Sequence, residues 1–260
     1  MSIFYMSLIT IISDFGYTDH YAAALKASIY KLNSNLNVVD ITHDIKKNNI
    51  SHAAYSIRNV YKDFPDGSIH IICVKASEKK ERIVVVKMNE HYFISYDTGI
   101  FSLIDLKENY TAVSIDYSIL SSFPEKSIMG PIAVKLAVNN DISTIGKPIM
   151  NLNKRFFATV NISSNNLKGN ILRIDHYGNL ITNIHLDNFN KLIDKNSENF
   201  EIIIGIEKLI EINKTYSDVN AGELFALFNS NQFLEIGMNL GDASKLLGMK
   251  EDDPISINFL

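Results

Sequence analysis

The sequence has few of the features that mark secreted, membrane or nucleic-acid-binding proteins. Its single cysteine, Cys73, excludes an internal disulfide. Cys73 lies in the apolar run IHIICV, which favours a small buried side chain over a nucleophile. The amino-terminal run is apolar, but it has no basic segment and no cleavage-site pattern, and it is too short to cross a bilayer. We therefore expect a cytoplasmic protein without membrane contact.

Positive charge is not concentrated along the chain. There are 25 Lys and Arg residues against 29 Asp and Glu, for a net charge of -4. The densest basic segment, residues 74–83, is interrupted by Glu78 and Glu81, which favours a solvated loop. Nucleic-acid binding usually needs clustered Lys and Arg, so nucleic acid is not expected as a partner.

The apolar residues that are present form two patterns, typical of two domains. Over residues 7–145, β-rich runs alternate with segments of helical periodicity, which predicts a layered α/β domain with a largely parallel sheet. From about residue 160, short strands follow closely with almost no helix, which predicts an all-β barrel or sandwich. We place the α/β domain at residues 1–155 and the β-barrel domain at residues 156–260.

Two segments of the first domain carry more detailed predictions. Residues 49–67 favour a helix that is ended by Pro65 and Gly67. The runs RIVVVKM and HYFISYDTG, residues 82–88 and 91–99, favour a pair of strands in a hairpin.

The first candidate site is SDFGYTDHY, residues 13–21, directly after the first predicted strand. Parallel α/β sheets bind ligands at the carboxyl ends of their strands, and Asp14 lies at such an end, with Gly16 allowing a turn. An aspartate there can accept hydrogen bonds from both hydroxyls of a ribose, or it can cap the following helix, and position alone leaves both open. The sequence has neither a dinucleotide fingerprint nor a P-loop.

Other polar clusters favour structural roles. Asp40, His43 and Asp44 would need further ligands from elsewhere to bind a metal, so hydrogen-bonded residues at a strand end are favoured. The DTG motif at residues 97–99 occurs in aspartic proteases, but the α/β pattern argues against that fold. The remaining histidines outside these motifs have no spacing typical of ligands, namely His52, His70, His91 and His185. We expect no metal site.

The most specific signal is DHYGN, residues 175–179, which interrupts a strand. Asp175 and Asn179 flank a tight turn, so both side chains can project to one side. An amide can pair with the edge of a purine, and Tyr177 can lie flat against a base. A second amide-rich loop occurs in FNSNQFLEIGMN, residues 228–239. Two such loops closing over a ligand favour a nucleoside pocket.

Six motifs, in this order, resemble a known family over nearly the whole chain. They are ITIISDFGYTDHY, VVDITHDI, FPDGSIHI, YDTGIFSL, IDHYGNLITNI and FNSNQFLEIGMN. The set is similar to the S-adenosyl-L-methionine (SAM) hydroxide adenosyltransferases, or SAM hydrolases, siblings of the fluorinases and chlorinases. The resemblance implies attack of water or hydroxide on C5′ of SAM, giving adenosine and L-methionine, without a cofactor. It also implies a homotrimer that binds SAM between the N-domain of one subunit and the C-domain of the next.

The resemblance implies substrate contacts in the first domain. Asp14 resembles the residue that grips the ribose hydroxyls. Asp19 resembles one that holds the methionine amino group, with Tyr21 nearby.

It also implies contacts in the second domain. Asp175, Tyr177 and Asn179 match the loop that lines the methionine and adenine end. Ser230 matches a contact to the methionine carboxylate, and Asn239 matches the strand-end residue beside the adenine.

The site for the attacking water departs from the family pattern. The family loop resembles V-D-P-G-V-G-x-x-R, whose Asp and Arg join a distant His to orient the water. This chain has Lys75 at the aspartate position and keeps the arginine as Arg82. Pro124 stands at the histidine position, in FPEKSIMGP. Glu125 falls at the serine position of the halogenases, where a carboxylate would repel a halide.

Three hypotheses follow for the activity. The first is a SAM hydrolase whose altered water site is formed by Arg82 with Lys75 or Glu125. The second is a SAM or adenosine binder that has lost its water-activating site. The third is adenosyl transfer to another small nucleophile, recruited near Lys75 and Arg82. We favour the hydrolase, because Arg82 and the full set of SAM-binding motifs persist. Since in-line orientation of the water contributes much of the rate and a base adds about 10²- to 10⁴-fold, loss of the other water-orienting groups should slow hydrolysis rather than abolish it.

Overall fold

The computed structural model describes residues 8–75, 81–105, 109–116, 121–194 and 199–260. Most of the predicted charged loop, residues 76–80, lies outside these ranges. The chain divides into two units, Met1–Phe157 and Ala158–Leu260. None of the helices in the described ranges combines the length and the hydrophobicity that spanning a membrane requires.

Unit 1 contains a seven-stranded mixed sheet. Its strands are β1 (Leu8–Ser13), β2 (Asn37–Thr42), β3 (Ile69–Cys73), β4 (Ile83–Met88), β5 (His91–Tyr96), β6 (Thr111–Ser114) and β7 (Lys147–Ile149). The order is β2-β1-β3-β5-β4-β6-β7. The first four strands in this order run parallel, and the pairs β5/β4, β4/β6 and β6/β7 are antiparallel.

The prediction of a largely parallel sheet is thus confirmed only in part. The predicted hairpin of β4 and β5 is the reason, since a two-residue turn joins antiparallel strands. That turn is Asn89 and Glu90, both with positive φ, at 48° and 60°. The parallel half, β2-β1-β3-β5, keeps its carboxyl ends at one edge of the sheet.

Helices cover both faces of this sheet. They are α1 (Tyr21–Leu32), α2 (Ile50–Arg58), α3 (Ile100–Ile104) and α4 (Gly130–Asn139). α1 and α4 pack on one face and α2 and α3 on the other, so Ile11 and Ile12 of β1 are buried in opposite layers. Such burial on both sides explains the continuous apolar runs of the strands. α2 ends before the predicted stop at Pro65, and a 3-10 turn follows at Tyr61–Asp63.

Unit 2 is an antiparallel, nearly closed barrel. Its strands are β8 (Asn161–Ile162), β9 (Asn166–Ile174), β10 (Leu180–His185), β11 (Phe200–Ile204), β12 (Glu207–Leu209), β13 (Leu224–Phe228), β14 (Phe233–Met238) and β15 (Pro254–Phe259). The order is β12-β11-β15-β9-β10-β14-β13, with β8 beside β9. Asn213, just after β12, donates its backbone N–H to Ala226 of β13 at 2.6 Å, which brings the two ends of the sheet together.

Two short helices occur among the described residues of unit 2, where the sequence predicted almost no helix. They are α5 (Leu186–Ile193) and α6 (Ala243–Leu247). α5 buries Phe189 and Leu192 in the core of the barrel. Its apolar residues form a single stripe over barely two turns, a pattern too short to distinguish from a strand by periodicity.

A pair of histidines is buried in the sheet of unit 1. His70 of β3 lies with Nδ1 2.7 Å from the Thr10 hydroxyl and Nε2 3.1 Å from Nδ1 of His91. Burial, and then the neighbouring His91, lower the pKa of His70 to about 3. Burial also lowers the pKa of His91.

This pair predicts loss of stability in acid. A histidine whose folded pKa is depressed binds its proton in the unfolded chain first, so stability falls as pH drops below about 6.5. His70 alone should contribute roughly 1.4 kcal/mol per pH unit from there towards its folded pKa. Urea unfolding at pH 7 and pH 5 measures this slope. His70→Phe should have a shallower slope than the wild type, and equal slopes would contradict the prediction.

Candidate functional site

The carboxyl edge of the parallel strands gathers several predicted residues of unit 1. Asp14 directly follows β1, and its Oδ2 accepts the backbone N–H of Asn48 at 2.8 Å. The helix-capping alternative is excluded, because α1 begins at Tyr21 and its N-cap is His20. Among the described residues, Oδ1 of Asp14 has no hydrogen-bond partner, so this oxygen can accept from a ligand.

The start of α1 carries the two other predicted substrate contacts of unit 1. Asp19 and Tyr21 are both exposed there. The Tyr21 ring packs on Phe15 at 6.0 Å and edge-on to Phe123 at 5.5 Å between centroids. Since Phe123 lies two residues before Glu125, this aromatic contact joins the start of α1 to the segment of a predicted catalytic residue.

The histidine of VVDITHD is buried and hydrogen-bonded through Nδ1. His43 is buried, with Nδ1 2.6 Å from the Ser13 hydroxyl and Nε2 3.1 Å from Oδ1 of Asp40. The favoured interpretation, polar residues bonded at a strand end, is confirmed for these two side chains. Asp44 is exposed, and its backbone N–H bonds to the Thr42 hydroxyl.

Tyr96 links two of the three predicted catalytic residues. Its hydroxyl donates to Oε1 of Glu125 at 2.7 Å, and Nζ of Lys75 lies 5.9 Å from the centre of its ring. Glu125 opens a π-helical turn, Glu125–Met129, that leads into α4. Sequence reasoning missed Tyr96, because it is the last residue of an apolar strand. Its position directly before the DTG motif was the one signal that could have identified it.

Arg82, the third predicted catalytic residue, is held by a buried carboxylate. Its Nε donates to Oδ2 of Asp97 at 2.8 Å, and Nη2 lies 2.7 Å from the same oxygen and donates to the carbonyl of Asn151. Asp97 is 1% exposed and also accepts the backbone N–H of Asn153. The aspartate of DTG thus anchors an arginine and a loop.

Cys73 lies between the carboxylates at this edge. It is buried at the end of β3. Burial raises the pKa of its thiol well above the usual range, and the charges of Glu125 and Asp14 raise it further. The thiol stays protonated at neutral pH and is a poor nucleophile, as the sequence predicted.

Unit 2 contains a cavity of about 700 Å³. Its lining is Asp175, Tyr177, Asn179, Tyr216, Phe225, Met238, Asn239, Leu240, Gly241 and Asp242. Four residues predicted from two separate motifs are therefore brought together in one concave surface. Volumes of this order accommodate a nucleoside-sized ligand, and an apolar lining with a few polar groups is typical of such sites.

The DHYGN loop is shaped by its own aspartate. Oδ1 of Asp175 accepts the backbone N–H groups of Tyr177 and Asn179 at 2.9 Å, and Oδ2 accepts the Asn179 amide at 3.1 Å. Such Asx turns fix a loop locally. Gly178 has φ +85°, and a Cβ there would lie 2.1 Å from Oδ1 of Asp242. The turn buries Asn179 and leaves Tyr177 74% exposed at the cavity.

The facing wall of the cavity includes Tyr216, which sequence reasoning also missed. Its ring stands edge-on to Phe225 at 5.1 Å, and its hydroxyl donates to Oε1 of buried Glu235 at 3.2 Å. Burial, and then Glu235, raise the pKa of Tyr216 to about 12. Asn239 donates its side-chain amide to the carbonyl of Val219 at 2.8 Å, which leaves its oxygen for a ligand.

Ser230 is not brought to this cavity. It is exposed in the turn between β13 and β14, whereas Asn239 directly follows the other end of β14. The six residues of β14 separate them by about 20 Å at ~3.3 Å per residue.

Comparison with known proteins gives consistent matches over the whole chain. The model of the SAM hydroxide adenosyltransferase N-terminal domain matches residues 9–146, and that of the C-terminal domain matches residues 169–256. The chain is similar to an (R)-S-adenosyl-L-methionine hydrolase of Methanocaldococcus jannaschii, 29% identical, covering 98% of this chain and 97% of the relative. It is also similar to a fluorinase of Actinopolyspora mzabensis, 21% identical, covering 94% of each. The solved structure of an uncharacterised conserved protein from Thermotoga maritima superposes with a TM-score of 0.88 and 26% identity, covering 96% of this chain and 100% of that chain.

Proposed function

Because this chain belongs to the SAM hydroxide adenosyltransferase family, we propose that it hydrolyses SAM to adenosine and L-methionine. The oxygen of water attacks C5′ and the C5′–S bond breaks. The electron pair of that bond goes to the sulfonium, which leaves as the thioether of methionine, and one proton is released. The observation that carries the proposal is the cavity of unit 2, where residues from two separate family motifs meet.

In this proposal, residues from both units bind the substrate. Asp14 accepts hydrogen bonds from the ribose hydroxyls. The exposed aromatic rings of the cavity, Tyr177 and Tyr216, stack on the adenine, while the amides of Asn179 and Asn239 pair with its edge. On the basis of the family resemblance, we assign the contacts with the methionine part of SAM to Asp19, Tyr21, Asp175 and Ser230.

The nucleophile site is where this chain differs most from its relatives. We assign Glu125 as the group that positions the water and takes its proton, since a carboxylate within hydrogen-bond reach of water can act as a base. The Tyr96 hydroxyl holds Glu125 in place. Lys75 supplies a positive charge beside Tyr96, and Arg82 is the second cation that we assign to the water site.

A second candidate is a SAM or adenosine binder without turnover. Lys75 and Pro124 stand where the family has an aspartate and a histidine, and Asp97 and Asn151 occupy Nε and Nη2 of Arg82. Adenosyl transfer to a small anion near Lys75 is the remaining alternative, and the carboxylate of Glu125 opposes it.

Incubation with SAM separates these candidates. We expect purified protein to form adenosine and methionine in equal amounts. Chromatography of both products over time measures this. In H₂¹⁸O the adenosine should carry one ¹⁸O at its 5′ oxygen. Bound SAM that persists for hours without adenosine would favour the binder, and a 5′-substituted adenosine without ¹⁸O would favour another nucleophile.

The proposal includes a homotrimer that binds SAM between subunits, and a cytoplasmic location. In support of a shared site, the described residues place the proposed ribose-binding carboxylate in unit 1 and the base-binding cavity in unit 2. Sedimentation should give three times the chain mass of 29.3 kDa. If Asp14→Ala and Asn179→Ala chains, each inactive alone, remain inactive when mixed and reassembled, the sites are not shared between subunits.

A further inference from the structure

A row of polar contacts runs from the exposed Lys26–Asp40 pair to buried His43 and Ser13, next to Asp14. Lys26 lies 2.7 Å from Oδ2 of Asp40, and Oδ1 of Asp40 lies 3.1 Å from Nε2 of His43. Nδ1 of His43 lies 2.6 Å from the hydroxyl of Ser13. His43 is therefore hydrogen-bonded through Nδ1 to Ser13, while its buried Nε2 lies close to Asp40 without forming a hydrogen bond.

His43 also holds the backbone and the rings around Asp14. Its carbonyl accepts the N–H of Gly16 at 2.8 Å, and its N–H donates to the hydroxyl of Tyr17 at 3.2 Å. Its ring is parallel to that of Phe15 at 6.5 Å and perpendicular to that of Tyr17 at 5.5 Å. His43 therefore contacts both flanks of Asp14: its side chain bonds to Ser13 on one side, and its backbone and ring contact residues 15–17 on the other.

The order Asp40–His43–Ser13 has the connectivity of a nucleophile triad, but Ser13 cannot act as a nucleophile. Its side chain is 0% exposed and its oxygen already accepts the N–H of Phe15 at 3.3 Å. A reacting hydroxyl has to reach substrate. The arrangement therefore serves to hold geometry.

We infer that His43 is a positioning residue for ribose recognition by Asp14. This inference rests on the proposed function. Gly16, two residues after Asp14, has φ +71°. Because glycine is conformationally permissive, the loop that holds Asp14 depends on contacts with neighbouring residues for a single conformation. His43 supplies those contacts and so directs Oδ1 of Asp14 at the ribose hydroxyls.

The same sheet offers a matched control. Like His43, His70 is buried, and its Nδ1 bonds to a hydroxyl of β1, that of Thr10, at 2.7 Å. Among the described residues, His70 makes no hydrogen bond or ring contact with the Asp14 loop. Substitutions at Thr10 and His70 remove a buried hydroxyl–imidazole hydrogen bond like that between Ser13 and His43, but they leave the contacts of the Asp14 loop unchanged.

The test compares adenosine with 2′-deoxyadenosine by calorimetry. If Asp14 binds the ribose hydroxyls, the wild type should prefer adenosine by about 10- to 100-fold, the worth of a charge-assisted hydrogen bond. Asp14→Ala should bring this ratio close to one. Ser13→Ala and His43→Phe should lower it to about threefold or less, while Thr10→Val and His70→Phe should keep the wild-type ratio.

The two possible failures give different results. A wild-type ratio near one would overturn the ribose role of Asp14 itself. A wild-type ratio in Ser13→Ala and His43→Phe, with the ratio lost in Asp14→Ala, would overturn only the role of His43. Should His43→Phe fail to fold, Ser13→Ala decides the question, since it removes the hydroxyl that bonds to Nδ1 of His43.

Discussion

Replacing Asp14 by Ala is expected to weaken the binding of adenosine by about 10²- to 10⁴-fold. Two hydrogen bonds from ribose hydroxyls to a carboxylate are lost, each worth about 1.5–3 kcal/mol. Adenosine is the better probe than SAM, because the protein does not consume it. Calorimetric titration of wild type and variant measures the two dissociation constants directly.

The controls for Asp14→Ala address folding and charge. Oδ2 of Asp14 also anchors the N–H of Asn48, so the variant needs a thermal unfolding curve beside the wild type. Asp44→Ala removes an exposed carboxylate just after β2, at the same sheet edge, and should leave the dissociation constant within about twofold. Equal affinities of the Asp14→Ala variant and the wild type would show that the ribose lies elsewhere.

Glu125→Gln should lower kcat for SAM hydrolysis by about 10²- to 10³-fold and leave KM nearly unchanged. The amide keeps the size of the side chain and can still accept from the Tyr96 hydroxyl, but it cannot take a proton. Loss of a general base typically costs a factor in this range. Steady-state rates of adenosine formation give both parameters.

Two further variants define what Glu125 does. Tyr96→Phe removes only the hydroxyl that holds the carboxylate, so we expect a smaller fall in kcat, about tenfold. Glu90→Gln makes the same chemical change at an exposed carboxylate in the turn between β4 and β5, and should leave kcat unchanged. Wild-type kcat in Glu125→Gln would remove Glu125 from the mechanism and leave Lys75 and Arg82 as the candidates.

Local patterns predicted the elements and some of the site. The strand before Asp14 and the tight turn at residues 175–179 both follow from neighbours in sequence, as do the hydrophobic runs that build the sheet. The resemblance placed Asp14 and Asn239 beside a nucleoside. These inferences use information within one motif, where backbone propensity and side-chain chemistry agree.

Contacts between distant segments were beyond such patterns. The partner of Arg82 is Asp97, which antiparallel pairing of β4 with β5 brings opposite it. Tyr216 lies in a segment without regular strand, and only its ring contact with Phe225 places it at the cavity. Each depends on the tertiary fold.

The buried state of Cys73 makes the native chain suitable for site-specific labelling. A thiol that stays protonated and shielded from solvent reacts slowly with maleimides. A cysteine introduced at Ile206, which is 96% exposed after β11, would then be the reactive one without removal of the natural residue. One fluorophore per chain at that position would allow energy transfer to test whether chains associate.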